Sequence, residues 1–179
     1  VLTALHRFDE ACEHYRTALR INPAERTARD NLLMAMQYDP EFDVDELFVA
    51  HCELTQPMQC AAPTAVQHNN DSAPHRRLRI GYVSPDFRKH SVAFFMKPIM
   101  ARHDPSAVEI FCYAQVAQPD ETTQQLQNLA GHWRSTVGMS DAAVVELIRR
   151  DRIDILVDLA GHTAGNRLGV FSHNPAPIQ

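Results

Sequence analysis

Several signals that would mark common functional classes are missing from this sequence of 179 residues. No run approaches the roughly 20 apolar residues that a membrane-spanning helix needs, and no basic-then-apolar signal peptide opens the chain. The formal net charge of −5 gives no electrostatic case for binding nucleic acid or an anionic membrane. What is left is typical of a globular protein, and 45% hydrophobic residues suffice for a core.

Cysteine is scarce and shows no redox or metal-binding spacing. The four cysteines are Cys12, Cys52, Cys60 and Cys112, and none forms a C-x-x-C pair. Three of them lie inside apolar patterns, where a free thiol packs as a small hydrophobic group. One disulfide stays open as an alternative, but this usage favours a reducing compartment, and we expect a cytoplasmic protein.

The common phosphate, metal and nucleophile motifs are also missing. The chain contains neither G-x-G-x-x-G nor G-x-x-x-x-G-K-[ST], so it carries no obvious nucleotide-binding loop. Its ten histidines are scattered, with no H-E-x-x-H spacing. No G-x-S-x-G nucleophile turn is present. We therefore expect no metal site.

Both ends of the chain look cut. It begins with Val1 rather than methionine, directly in a helical pattern. It stops at residues 175–179 (PAPIQ), where a new strand is predicted to begin. We therefore expect the chain to be part of a larger protein.

Three helices are predicted in the first part of the chain. Apolar residues recur at helical spacing over residues 5–21, 24–38 and 43–54. Asn22-Pro23 and Asp39-Pro40 end the first two helices, because proline cannot continue the hydrogen-bond ladder.

Short proline turns between antiparallel helices are typical of a helical solenoid. Ala11, Tyr15, Ala18 and Pro23 are spaced as in the second helix of a tetratricopeptide repeat. We therefore interpret residues 1–55 as the end of a tetratricopeptide-repeat region, with an ordinary helical hairpin as the alternative.

A linker and an α/β region follow. Residues 56–75 are rich in proline and polar side chains, which predicts a linker. From residue 76 to 179, short apolar strands alternate with helices, which predicts a parallel sheet covered on both faces. The predicted strands are residues 78–83, 108–114, 133–137 and 153–159, and the predicted helices are residues 91–102, 121–129 and 140–150.

Two loops of this α/β region are candidates for a site. Parallel sheets bind ligands beyond the carboxyl ends of their strands. Residues 84–91 follow the first strand and residues 161–167 follow the fourth, and these two strands are usually neighbours. We expect His90 and His162 to lie at one rim, where histidine can exchange a proton near neutral pH. A plain surface or capping role is the alternative for each.

Basic side chains accompany the two histidines. Arg88, Lys89 and Arg167 could meet a phosphate group or a peptide backbone. The alternative is that they are solvated loop charges, and the sequence leaves both interpretations open.

The order of several motifs resembles the O-linked GlcNAc transferases and their bacterial relatives. The resemblance covers nearly the whole chain except the linker, including the helices around residues 31–48. In the α/β region it is carried by residues 79–90 (RIGYVSPDFRKH), 109–113 (EIFCY), 154–163 (DILVDLAGHT), 166–167 (NR) and 175–179 (PAPIQ).

The resemblance implies a fold and an activity. The fold is α/β, the Rossmann-like amino-terminal half of a GT-B glycosyltransferase after the end of a tetratricopeptide-repeat region. The activity is transfer of a sugar from UDP-GlcNAc to protein serine or threonine hydroxyls, with inversion and without a metal or other cofactor. The carboxyl-terminal half, which supplies most nucleotide contacts in that family, would be missing here.

The resemblance also implies site residues. A histidine matching His90 lies near the reaction centre of the family. His162 and Thr163 fall in the matching glycine loop, where animal members carry tyrosine in place of the histidine. We predict His90 and His162 as catalytic residues and the following as substrate-binding residues: Arg88, Lys89, Thr163, Asn166 and Arg167.

Three interpretations of function follow. The first is a protein O-glycosyltransferase, with a peptide acceptor and a nucleotide-sugar donor as partners. The second is a repeat-based protein-binding scaffold with a non-catalytic α/β half, and the third is a GT-B enzyme that acts on glycans or small molecules. A related plant branch transfers fucose, so the donor sugar stays open. We expect the isolated chain to be inactive.

Overall fold

The computed structural model describes residues 3–59 and 67–179. These residues form two compact units. The first contains the described residues up to Gln59 together with His162–Ala164, and the second contains the remaining residues from Gln67 onward. Residues 60–66, which belong to the predicted linker, lie outside the described residues.

The first unit is helical, as predicted. After a short 3-10 helix at Thr3–Leu5 come α1 (Phe8–Ile21), α2 (Arg26–Tyr38) and α3 (Val44–Gln59). A buried cluster between the helices holds them together through Cys12, Leu32, Ala35 and Met36.

The third helix is longer than predicted. It includes Pro57 and ends at Gln59, whereas the proline-rich pattern predicted a linker from residue 56. Proline lacks a backbone N–H, but the backbone stays helical past this position. The predicted linker is therefore helical over its first four residues, 56–59.

The second unit is a four-stranded parallel sheet covered by helices, which confirms the predicted α/β class. Its elements are β1 (Leu78–Ser84), α4 (Ser91–Arg102), β2 (Val108–Ala114), α5 (Glu121–Leu129), β3 (His132–Ser135), α6 (Asp141–Asp151), β4 (Ile155–Asp158) and α7 (Leu168–Phe171). The strand order is β3-β2-β1-β4, so the first and fourth strands are neighbours as predicted. The short helix α7 was not predicted.

Alternate residues of each strand serve two separate cores. On β2, Ile110 and Cys112 join the cluster with Met96, Met100 and Leu126 from α4 and α5. Phe111 and Tyr113 point the other way and pack with Val144 and Ile148 of α6. This two-residue period is the expected consequence of a pleated strand buried on both faces.

Gly81 lets the centre of β1 approach the second core closely. A Cβ atom at this position would lie 2.9 Å from Leu156 Cδ1 and 3.0 Å from Tyr113 Cε2. The sheet therefore requires glycine here for space rather than for an unusual backbone angle. No helix within residues 3–59 and 67–179 combines the length and the apolar character needed to span a membrane.

Candidate active site

The two candidate loops meet at the carboxyl edge of the sheet. β1 pairs in parallel with β4, and Leu159 N donates a hydrogen bond to Val83 O across the strand ends at 3.1 Å. Gly165 adopts a left-handed φ of 80°, and a Cβ atom there would lie 3.0 Å from Pro85 Cβ. The loops after β1 and β4 are thus in direct contact, as the strand order requires.

The loop after β1 is anchored along its length. Ser84 Oγ accepts a hydrogen bond from Asp86 N at 2.9 Å, and Phe87 is fully buried with its ring centroid 5.5 Å from that of Trp133. Lys89 N donates to the Asp120 carboxylate at 2.7 Å. These contacts fix the backbone of the loop. The side chains of Arg88 and Lys89 face solvent.

Asp120 joins this loop to the start of α5. Its carboxylate accepts from Lys89 N and from Thr123 N, and it forms a capping box with Thr123. These backbone hydrogen bonds, the one from Lys89 first, lower the pKa of the Asp120 carboxyl below its usual value. The carboxylate therefore stays charged and keeps the loop attached near neutral pH.

His90 caps the amino-terminus of α4. Its Nδ1 accepts a hydrogen bond from Val92 N at 3.3 Å and lies 3.7 Å from Asp86 Oδ2. About 40% of the side chain remains exposed. A nitrogen that accepts a backbone N–H carries a lone pair, so the neutral ring has its proton on Nε2. In that tautomer Nε2 is the donor nitrogen of His90.

The loop after β4 is shaped by its own polar residues. Asp158 Oδ2 accepts hydrogen bonds from Gly161 N at 2.6 Å and from Ala160 N at 3.3 Å. Asn166 is buried and accepts from Leu168 N at 3.3 Å, which begins α7. The predicted residue Asn166 therefore contributes to the shape of the loop.

Arg167 is mostly buried, and both of its terminal nitrogens bind the protein, whereas its Nε has no hydrogen-bond partner among the described residues. Its guanidinium contacts Asp141 Oδ1 at 2.7 Å, Gln115 Oε1 at 2.7 Å and Thr136 O at 2.9 Å. These contacts join the loop to the ends of β2 and β3 and to α6. The geometry supports a positioning role for this cation.

His162 and Thr163 group with the helical unit. Within that unit, His162 Nδ1 lies 2.9 Å from Asp30 Oδ1, and its ring centroid lies 5.3 Å from that of His51. Only 12% of the His162 side chain is exposed. The predicted shared rim of His90 and His162, and their catalytic roles, stay predictions.

Sequence reasoning missed the acidic residues that organise both loops. Asp86, Asp120 and Asp158 each hold a loop backbone or a site side chain. A signal existed for Asp120, because aspartate directly before a predicted helix indicates an N-cap. Among the residues that the structure describes, no group of three or more His, Cys, Asp or Glu side chains could hold a metal ion.

A protein-family model matches most of the chain. The model of glycosyl transferase family 41 matches residues 47–179, more than half of the chain. The match includes both candidate loops and all four strands.

Curated relatives are similar over most of this chain. Proteins named as probable UDP-N-acetylglucosamine–peptide N-acetylglucosaminyltransferase SPINDLY are 38% identical over 169 residues in Oryza sativa subsp. japonica and 37% identical over 165 residues in Solanum lycopersicum. These alignments cover 92% and 90% of this chain. The chain spans only 18% of the length of either relative.

A solved structure has the same fold. The chain superposes on a lysine-to-methionine mutant of the Thermobaculum terrenum O-GlcNAc transferase with a TM-score of 0.93 at 35% sequence identity. The superposition covers 99% of this chain and 34% of that one.

Proposed function

Because the chain belongs to glycosyl transferase family 41, we propose that it forms part of the catalytic region of a peptide O-glycosyltransferase. The reaction is transfer of N-acetylglucosamine from UDP-N-acetylglucosamine to a serine or threonine hydroxyl, with inversion at the sugar. The names of the plant relatives and the 0.93 TM-score to an O-GlcNAc transferase support this substrate class. Since the chain spans 18% of the plant relatives, the activity belongs to a longer protein.

The observation that carries this proposal is the geometry of His90. The side chain is held at the amino-terminus of α4, beside the carboxyl ends of β1 and β4, with Nδ1 occupied by Val92 N. A neutral ring in this orientation donates from Nε2 to an oxygen of the substrate. His90 therefore orients and polarises the reacting groups, and it is not arranged to remove a proton through Nδ1.

The other predicted residues divide into two groups. Arg88 and Lys89 are exposed on the anchored loop, where their positive charges can meet the donor diphosphate or the acceptor peptide. Asn166 and Arg167 hold the second loop in shape through Leu168, Asp141 and Gln115. Their effect on substrate is indirect. The catalytic role of His162 and the substrate-binding role of Thr163 stay predictions.

The larger protein has the GT-B arrangement, with a second α/β half that supplies most contacts to the nucleotide. No metal is required, because protein cations and helix amino-termini can neutralise the leaving diphosphate. We place the protein in the cytoplasm, where the free thiols of Cys12, Cys52 and Cys112 stay reduced.

The helical unit ends a tetratricopeptide-repeat array that presents protein substrates. A groove of about 830 Å³ between its helices supports this role. The floor of the groove is apolar, with Leu19, Leu32 and Met36, and its rim carries Arg16 and Glu53. Such a surface suits a peptide that has both apolar and charged side chains.

Transfer by the full-length protein tests the proposal. The enzyme is incubated with UDP-N-acetylglucosamine and a library of serine- and threonine-containing peptides, with and without EDTA, and peptide masses are measured. We expect peptides to gain one N-acetylhexosamine at a rate that EDTA leaves unchanged. The variant His90→Asn is expected to lower kcat/KM roughly 100-fold, the scale for losing one preorganised donor.

Two further variants separate the site from the fold. Asparagine at position 90 can still cap α4, so His90→Asn keeps stability, whereas His90→Ala also loses about 1 kcal/mol of capping. His75→Ala, which removes an exposed histidine of the same unit, is the matched control and should leave kcat/KM unchanged. Full activity of His90→Asn would remove His90 from the mechanism, and no transfer from any nucleotide sugar would favour the scaffold interpretation.

A further inference from the structure

A small cavity lies beside His90, between α4 and α5. Its volume is about 160 Å³. Cavities that enclose drug-sized ligands measure roughly 300–1,000 Å³, so this one is too small for a nucleotide. It has the size for a single side chain. The lining residues are Lys89, His90, Ala93, Phe94, Lys97, Pro98, Thr122 and Gln125.

Both lysines of the chain line this cavity. The sequence contains two lysines, Lys89 and Lys97, against fifteen arginines. Neither forms an ion pair with any of the residues described in the structure. No carboxylate is among the lining residues. The lining therefore carries two positive charges and no negative charge.

The side chain of Lys97 is held in place by a hydrogen bond across the cavity. Its ammonium group donates a hydrogen bond to Gln125 Oε1 at 2.7 Å, which connects α4 to α5 across the cavity. Because Gln125 is neutral, this bond fixes the side chain without compensating its charge. Less rotamer entropy is then lost when a ligand binds.

The carboxylates near the cavity are engaged elsewhere. Asp120 accepts hydrogen bonds from Lys89 N and Thr123 N, and Glu121 Oε1 accepts from Gln125 Nε2 at 3.3 Å. The Asp120 carboxylate is thus bound to backbone N–H groups, and the Glu121 carboxylate is bound to a neutral side-chain amide. An incoming anion therefore meets the lysines directly.

The remaining wall is apolar. Phe94 is 76% exposed on the outer face of α4, and Pro98 adjoins it one turn later. Proline has no backbone N–H to offer, and Ala93 closes the base of the cavity. A fitting ligand combines a short apolar stem with an anionic end.

We propose that this cavity is a subsite for a glutamate side chain of the acceptor peptide, an inference that rests on the proposed transferase function. The stem of glutamate packs between Phe94 and Pro98, and its carboxylate lies between Lys89 and Lys97. Lys97 lies seven positions after His90, the N-cap of α4, which corresponds to a helical rise of about 10 Å. An extended peptide covers that distance in about three residues. The favoured glutamate is therefore about three positions from the modified hydroxyl.

Matched peptides test this subsite in the full-length enzyme. Single-serine peptides carry glutamate or glutamine at each position on either side of the serine, and kcat and KM are measured for each pair. We expect wild-type enzyme to show a KM about two- to fivefold lower for glutamate near the third position, the scale of one exposed ion pair. Lys97→Gln removes the difference, and Lys97→Arg restores part of it.

Arg102→Gln is the matched control, because it removes one positive charge from the same helix outside the cavity. It should keep the glutamate preference. Equal KM values for every glutamate and glutamine pair in wild-type enzyme would overturn the proposal. So would a preference that survives Lys97→Gln.

A second measurement tests whether the subsite binds glutamate, independently of sugar transfer. The rates at which an amine-reactive ester acylates Lys89 and Lys97 are followed by peptide mass spectrometry, with saturating glutamate or glutamine peptide present. Protection of Lys97 by the glutamate peptide alone supports the subsite even if no peptide is glycosylated, in which case only the proposed function fails. Equal acylation with both peptides overturns the subsite even if transfer is observed.

Discussion

Asp154 organises the start of the α/β unit through one carboxylate. The residue is almost fully buried and accepts hydrogen bonds from Asn70 Nδ2 at 2.6 Å, from both terminal nitrogens of Arg76 at 2.6 Å, and from Arg79 N at 2.8 Å. Burial alone would raise the pKa of this carboxyl. The hydrogen bonds from Arg76, Arg79 N and Asn70 outweigh burial and hold the pKa below its usual value.

A pH-dependent loss of stability is expected for Asp154→Asn. The wild-type carboxylate contributes stability that is fully present above the ordinary aspartate pKa of about 3.9, and that is lost as pH falls through the lower folded value. At pH 7 the variant should therefore lose about 1–3 kcal/mol of unfolding free energy, because Arg76 keeps its charge without its partner. The difference in unfolding free energy between wild type and variant should become smaller in strong acid.

Urea unfolding of both proteins at neutral and acidic pH checks this expectation. Glu146→Gln, which neutralises an exposed carboxylate on α6, is the control and should change stability little at either pH. A gap between wild type and Asp154→Asn that is constant with pH would show that the carboxylate charge is not responsible.

The hydrogen-bond and ion-pair partners of the candidate site residues could not be predicted from the sequence. The spacing of motifs placed His90 and Arg167 in the loops that follow β1 and β4. It could not reveal that Arg167 is committed to Asp141, which lies 26 residues earlier in the chain. Partners of this kind depend on strand order, which brings distant residues together only after the sheet has formed.

At the scale of elements, β1 is the strand with the least room for change. It lies between β2 and β4, and Gly81 at its centre faces Tyr113, Ile153 and Leu156. Tyr113 cannot move aside easily, because it is fully buried and donates a hydrogen bond to Asp151 at 2.9 Å. The second core is therefore closely packed around this glycine.

Gly81→Ala should destabilise the α/β unit by about 1–3 kcal/mol, the usual cost of overpacking a core. The added methyl would lie 2.9 Å from Leu156 Cδ1, so that side chain must leave its preferred rotamer. Thermal unfolding measures the loss. Combining the change with Leu156→Ala should cost less than the sum of the two single changes. Additive costs would mean that the two positions do not compete for space.

Elements were predicted well where length and pattern agreed. The bounds of α4, β2 and α5 in the structure are those predicted, because clear apolar periods end there at proline, glycine or capping residues. The strand predicted over residues 153–159 is shorter, Ile155–Asp158, because Asp158 turns its carboxylate onto Ala160 N and Gly161 N and ends the ladder. Helix α7 has four residues, too few to show a helical period.

At the scale of the whole molecule, the proposed function requires more of a donor site than the described sheet supplies. The loop after β1 presents Arg88, Lys89 and His90, and the sequence contains no glycine-rich phosphate loop. In the proposed GT-B arrangement the nucleotide contacts come from the other half.

The isolated 179-residue chain should therefore show no sugar transfer and little affinity for UDP. Calorimetric titration of UDP into the chain, beside the same titration of the full-length protein, measures the difference. Tight stoichiometric binding by the chain alone would contradict a donor site that depends on the second half. Weak binding by both proteins would point to a different donor.

The hydrogen bonds of Asp154 also set an order of assembly during synthesis. Asn70, Arg76 and Arg79 emerge from the ribosome well before their partner, which follows 84, 78 and 75 residues later. Until then β1 lacks its neighbour β4, and the residues before it have no carboxylate to bind. Strand β1 is thus synthesised first among the four and is the last to gain its second neighbour, and its unpaired backbone edge is accessible to chaperones during that interval.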